Sequence, residues 1–215
     1  MDVIAIDGPA GSGKSTVAPL VADKLGLKHL DTGLMYRTIA FRGMTLGLDL
    51  ADEKAFADLA DEIDFRVYGG GVVEIEGVKY KEELRTEEVS AAVSPISANV
   101  DVRNELVKRQ REWIEQNNGG VLDGRDIGTV VYPEARLKVF LVADIDERAQ
   151  RRASQSGESV EQIKAAIEAR DHADSTRESM PLKKADDAVE LDTTELSIDE
   201  VVAKIASLFA ESQHS

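Results

Sequence analysis

A chain of 215 residues, 42% of them hydrophobic, holds enough apolar material for one well-buried core with a small attached element. It has no cysteine, which excludes a disulfide framework and a thiolate metal site. Its 41 acidic against 26 basic residues give a net charge of −15, which opposes a nucleic-acid partner, and no apolar run approaches the ~20 residues that cross a bilayer.

Met1 to Ile6 run straight into an apolar strand, Val3 to Ile6, so no leader is expected and a cytoplasmic location follows. Further short β-branched runs occur at Lys28 to Leu30, Val121 to Leu122, Leu137 to Val142 and Ala188 to Leu191. Helical patterns lie between most of them, which predicts an α/β fold with a five-stranded parallel sheet. Ligands of such sheets gather beyond the carboxyl ends of the strands. Those ends read Asp7-Gly8, Asp31-Thr32-Gly33, Asp123-Gly124-Arg125, Ala143-Asp144 and Asp192-Thr193.

After the first strand, Gly8-Pro9-Ala10-Gly11-Ser12-Gly13-Lys14-Ser15 fits the G-x-x-x-x-G-K-[ST] phosphate-binding loop, and Thr16 to Leu25 supplies the helix that must follow it. Glycines let the backbone wrap a phosphate, and the exposed amides and helix dipole supply positive potential. Lys14 is expected to span the β- and γ-phosphates of ATP, and Ser15 to hold Mg²⁺ through its hydroxyl. Pro19 removes a backbone donor early in this helix. No Asn-Lys-x-Asp motif occurs, and no apolar strand ends in Asp-x-x-Gly, which argues against a switch GTPase.

At the second strand exit, Thr32 reads as a helix cap, with Arg37 on the first turns of the next helix as a clamp for an acceptor phosphate; Tyr36 suits packing as well as binding. Acidic residues cluster in polar segments read as helical, Asp49 to Glu53 and Asp58 to Asp64. Asp64 to Arg85 then alternates around Gly69-Gly70-Gly71 and Glu76-Gly77, which predicts a small antiparallel three-stranded insert. Beyond the third core strand, Asp123 is placed to meet Mg²⁺, Arg125 to bind acceptor phosphate and Asp126 to point a carboxylate into the cleft.

Arg148, Arg151 and Arg152 share a helical face after the strand Leu137 to Val142. The segment reaching Ser159, through Ser154-Gln155-Ser156-Gly157, reads as a mobile lid that delivers arginines to the transferred phosphoryl group. From a capping box, Ser159-Val160-Glu161-Gln162, one stripe runs Val160, Ile163, Ile167, Arg170, Asp174 and Arg177. Its charged end points either to a ligand or to an internal ladder of ion pairs. Glu211 to Ser215 read as a frayed tail.

With these residues in hand, the chain resembles the bacterial cytidylate kinases, a nucleoside monophosphate kinase family. IDGPAGSGKST, LDTGLMYR, RTEEVSAAVS, VRNELVKRQR, LDGRDIGTVVYP, RAQRR, RDHADSTR and LDTTELS carry the likeness, in that order, over essentially the whole chain. The resemblance implies a P-loop core (1–31, 104–147, 178–215), an acceptor-binding region (32–103, with the insert at about 64–85) and a short lid with its helix (148–177). It implies ATP-dependent phosphorylation of CMP and dCMP by a monomer, with Mg²⁺. Gly8 to Thr16 would bind ATP. Ser94, Arg103 and Asp126 would read the cytosine edge, Thr32 and Asp174 would meet the ribose, and Tyr36 would line the CMP site. Arg37, Arg125, Arg170 and Arg177 would hold or neutralise phosphates, with Lys14, Arg148 and Arg152 in catalysis; Ser15 and Asp123 would serve the metal. Ala173 and Ser175 stand where some relatives carry further arginines. Two rivals remain: a P-loop kinase for another small acceptor such as UMP, and a binding module that hydrolyses nucleotide slowly.

Overall fold

The computed structural model describes residues 1–157 and 159–212, and the chain divides into two compact units, residues 1–29 with 117–215, and residues 30–116.

In the first unit, β1 (Asp2–Asp7) pairs in parallel with β6 (Gly119–Gly124) on one side and β7 (Leu137–Val142) on the other, and β7 pairs in parallel with β8 (Val189–Asp192). With the short β2 (His29–Asp31) the sheet order is β2-β6-β1-β7-β8. Val3, Ile4, Ala5 and Ile6 are all fully buried, without the alternation of a half-exposed strand, the pattern of a central parallel strand covered on both faces. On one face α1 (Lys14–Leu25) and α8 (Ile198–Glu211) bring Val17, Val21, Val201, Ile205 and Phe209 against Ile4, Ile6, Val121, Val139 and Leu141. Truncating Ile4, Ile6, Leu141, Ile205 or Phe209 to Ala costs about 2–5 kcal/mol in such a core. Ser197 and Glu200 start α8 as a reciprocal capping box.

The chain also forms α6 (Ile145–Ser156) and α7 (Val160–Thr176). Ser154 to Ser156 form the last turn of α6, which Gly157 ends with φ 78. One expectation changes here. Arg177 lies outside the helical stripe: α7 stops at Thr176, and Arg177 is its extended C-cap. Ser159 does accept from the Gln162 amide, as expected of the cap. Glu158 in the lid and residues 213–215 of the expected tail lie outside the described residues; Glu211 itself is helical.

The second unit contains α2 (Thr32–Thr45), α3 (Glu53–Glu62), the insert strands β3 (Phe65–Val67), β4 (Val73–Ile75) and β5 (Val78–Tyr80), then α4 (Glu87–Ala98) and α5 (Val100–Gln116). The strands are antiparallel in the order β3-β4-β5. Glu76 and Gly77 join β4 to β5 with φ 49 and 83, the double positive φ of a hairpin turn that follows strand twist. Asp49 to Asp52 are not helical; Asp52 caps α3 by accepting from the Ala55 amide. The cap of α2 is likewise Asp31, accepting from Leu34 N at 3.2 Å, while Thr32 is the first helical residue and is buried. Among the described residues no helix is long and apolar enough to cross a membrane.

Candidate active site

The loop from Gly8 to Gly13 leaves β1 and enters α1 at Lys14. Gly8 has φ 151, and a Cβ there would sit 2.2 Å from the Leu141 carbonyl oxygen, so only glycine lets the loop pass β7 this closely. Lys14 is 6% exposed, and its Nζ donates to Pro9 O at 2.7 Å and Ser12 Oγ at 3.1 Å. Burial pushes the Lys14 ammonium well below its usual 10.5, and the positive Arg125 and Arg170 push the same way against Asp123 and Asp7. The loop lysine therefore shares its surroundings with two of the expected phosphate arginines.

The end of β6 is held by partners that the motifs do not reveal. His29 Nε2 lies 2.7 Å from Asp123 Oδ1. Asp7 accepts from the Ile127 and Gly128 amides, both at 2.8 Å, and so fastens the turn that begins at Asp126. Burial raises the Asp7 carboxyl to about 6; the two amides pull it down, the like charge of Asp126 pushes it up, and Lys14 pulls it down. Asp126 itself is buried, as are Asp123 and Asp174. The signal for Asp7 is its place at the end of the strand feeding the phosphate loop.

Arg125 Nε donates to Asp174 Oδ2 at 2.8 Å, and Arg177 Nη1 lies 3.7 Å from Asp174 Oδ1. Asp174 thus draws one arginine from the end of β6 and one from beyond α7. Arg177 also donates from Nε to Ser179 O at 2.9 Å and from Nη2 to Met180 O. Arg148 Nη1 donates to Ala10 O at 2.8 Å and to Asp171 Oδ2 at 2.5 Å, and Asp171 Oδ1 accepts from Ala10 N at 2.8 Å. Sequence reasoning misses Asp171 because the stripe through Ile163 and Ile167 forks: its i+3 branch leads to Arg170 and Asp174, its i+4 branch to Asp171. Arg151 binds Thr193 O at 2.6 Å and Thr193 Oγ1 at 3.2 Å, which secures the loop after β8. Arg152 is half-buried, one turn after Arg148.

In the second unit Arg37 Nη1 donates to Leu84 O and Ser90 Oγ, both at 2.9 Å. Arg103, on α5, is 2% exposed, donates to Ser97 O at 3.0 Å and lies 5.5 Å from the Tyr36 ring centroid. Tyr36 therefore packs against a cation, which is the packing reading of this residue. Ser94 is exposed on α4 and Thr32 is buried at the start of α2.

A parallel sheet whose first strand feeds a G-x-x-x-x-G-K-S loop, with arginines acting on its lysine, defines a P-loop phosphotransferase. Among solved structures, a gluconokinase from Sinorhizobium meliloti 1021 superposes with a TM-score of 0.52 at 15% identity, covering 98% of this chain and 92% of that one. An uncharacterized protein from Eubacterium ventriosum ATCC 27560 gives 0.56 at 13% identity, covering 98% of each. At such identities the likeness concerns the fold alone. The chain belongs to the cytidylate kinase family, whose family model matches residues 4–211. It is 46% identical to a cytidylate kinase of Bacillus cereus over 213 residues, covering 95% of this chain and 94% of the relative. It is equally identical to a cytidylate kinase of Leuconostoc mesenteroides subsp. mesenteroides, covering 95% of each.

Proposed function

We propose that this chain transfers the γ-phosphoryl group of ATP to CMP, with dCMP as a second acceptor, giving ADP and CDP or dCDP. An oxygen of the acceptor phosphate attacks the γ-phosphorus as the bond to the β,γ-bridging oxygen breaks, and ADP carries that electron pair away. The observation that supports a kinase is that Lys14, of the donor loop, lies within the electrostatic reach of Arg125 and Arg170. A hydrolase needs cations for one polyphosphate; a kinase needs cations for donor and acceptor together. Arg148, Arg152 and Arg177 are assigned to the same neutralisation, and Arg37 to the acceptor phosphate.

The base assignment rests on complementarity. Cytosine offers a ring-nitrogen acceptor and a carbonyl, suiting the donors of Arg103 and Ser94, and an exocyclic amine, suiting the carboxylate of Asp126. Uracil presents a ring N–H and a carbonyl instead, which leaves buried groups unpaired. Thr32 and Asp174 are assigned to the ribose.

Ser15 and Asp123 are the groups that would hold Mg²⁺. A hydroxyl and a carboxylate fit a hard ion that completes its shell with phosphates and water. When bound, the ion would neutralise charge on the donor phosphates.

Coupled ADP formation across CMP, dCMP, UMP, AMP and GMP tests this reading. CMP and dCMP should drive turnover, with UMP disfavoured by up to about 10⁴-fold in a desolvated site. Acceptor-independent hydrolysis would instead identify a binding module, and faster turnover with UMP a kinase for another acceptor.

A further inference from the structure

We infer that Asp171 is a positioning residue for the donor nucleotide, acting through Ala10 at the crest of the phosphate-binding loop. The inference rests on the proposed kinase reading only in taking the donor to be ATP.

Both backbone groups of Ala10 are held by side chains from the helical pair α6 and α7. Asp171 Oδ1 accepts from Ala10 N at 2.8 Å, and Arg148 Nη1 donates to Ala10 O at 2.8 Å. The two side chains are joined to each other by the 2.5 Å bond from Arg148 Nη1 to Asp171 Oδ2. Arg148 Nε is anchored in turn on Ala143 O at 3.1 Å. Under this ring of bonds an apolar cluster seals Ala10 against Ala149, Ile163 and Ile167. Gly11 completes the contact: it has φ 76, and a Cβ there would lie 3.3 Å from the Arg148 Cβ and 3.4 Å from the Ile167 Cδ1. Three kinds of observation, polar, apolar and steric, fix one loop segment to one helix pair.

A phosphate-binding loop is effective when its amides converge on the anion before it arrives, so that no ordering is left to do at binding. Gly11, with a positive φ, has little intrinsic preference to keep this shape. The clamp at Ala10 restrains the loop from outside. Arg148, assigned to the transferred phosphate, owes its orientation to the same carboxylate.

The charge of Asp171 acts in the opposite direction. It is negative and lies near a site for a polyanion, so its removal would favour ATP if that charge acted alone. Its partner at 2.5 Å neutralises it, and the loss of positioning therefore outweighs the relief of repulsion.

The test measures binding by calorimetry of AMP-PNP with Mg²⁺ and, separately, of CMP, for wild type, Asp171→Asn, Arg148→Met and the double variant. Asp171→Asn keeps shape but turns an NH₂ toward Arg148. The expected result is an AMP-PNP affinity weakened roughly tenfold or more, CMP affinity within about twofold, and a double variant little weaker than Arg148→Met alone. Asp171→Glu is the second variant, for the case in which Asn fails to fold: it keeps the charge, displaces the carboxylate by a methylene, and should lose AMP-PNP affinity in the same way. Unchanged or tighter AMP-PNP binding, proportional loss for both ligands, or additive effects in the double variant would overturn the assignment. Because no turnover is measured, the AMP-PNP comparison is independent of which acceptor the enzyme phosphorylates; wild type that fails to bind CMP would overturn the acceptor reading and leave the AMP-PNP affinities to decide for Asp171.

Discussion

Arg125 and Asp174 are joined by a 2.8 Å bond from Nε to Oδ2 although 49 residues separate them in sequence. The bond ties the end of the third core strand in sequence to the last turn of α7, and both side chains are largely buried. A carboxylate so placed orients the guanidinium, whose Nη1 also donates to Gly124 O at 3.3 Å. Asp174→Asn is therefore expected to raise the KM for CMP about tenfold while the KM for ATP stays within about twofold. A double-mutant cycle with Arg125→Met should show coupling of at least about 1 kcal/mol in kcat/KM for CMP. Equal losses toward both nucleotides would mean that the pair only supports the fold.

Lys14→Ala should lower turnover by at least about 10²-fold, the scale of one electrostatic donor at a transferring group. The fold should survive, because Nζ bonds to Pro9 O and Ser12 Oγ, both within the loop. A melting temperature that falls by less than about 4 °C would confirm the separation of roles. Near wild-type turnover would remove the assignment of the loop.

Asp7 supplies a pH dependence whose sign is fixed. Its carboxyl is raised from 3.8 to about 6 in the folded chain. Below about pH 4 it is protonated in both states. As pH rises the unfolded chain ionises first, so stability falls through the window from about 4 to 6 and then levels, by about 3 kcal/mol in all. Asp7→Asn has no such titration. It also keeps a single acceptor oxygen for the Ile127 and Gly128 amides, which costs about 1–3 kcal/mol at every pH. Denaturant unfolding of both proteins from pH 4 to 7 should give a stability difference, wild type minus variant, that declines with pH; a flat or rising difference would exclude the raised carboxyl.

Much of the architecture is legible in the sequence because apolar runs and turn signals are local. Leu137 to Val142 has the limits expected, and the hairpin at Glu76-Gly77 follows from residue types that accept positive φ. Thr32 is mistaken for a cap because Asp31 and Thr32 are both good caps and the strand limit decides between them. Composition does not show how far α6 extends: Ser154 to Ser156 are helical up to the Gly157 stop. The loop lysine and the arginine set can be picked out by motif and spacing. Of their partners, helical spacing yields the i,i+3 pair of Asp174 with Arg177, and most of the others cannot be read. His29 beside Asp123, Asp7 under Ile127 and Gly128, and Asp171 on Ala10 are contacts between distant segments, and no periodicity encodes them.

Phosphorylation of CMP through a hydrogen bond from the cytosine amine to Asp126 stands or falls on the ratio of kcat/KM for CMP to that for UMP in wild type and Asp126→Asn. Asn keeps the shape, removes the charge and adds an NH₂ that can donate to the uracil carbonyl. CMP activity should fall, the ratio should narrow by roughly tenfold or more, and the KM for ATP should scarcely move. An unchanged ratio, with activity lost equally for both acceptors, would contradict the base assignment and make Asp126 a support for Arg125 or the metal.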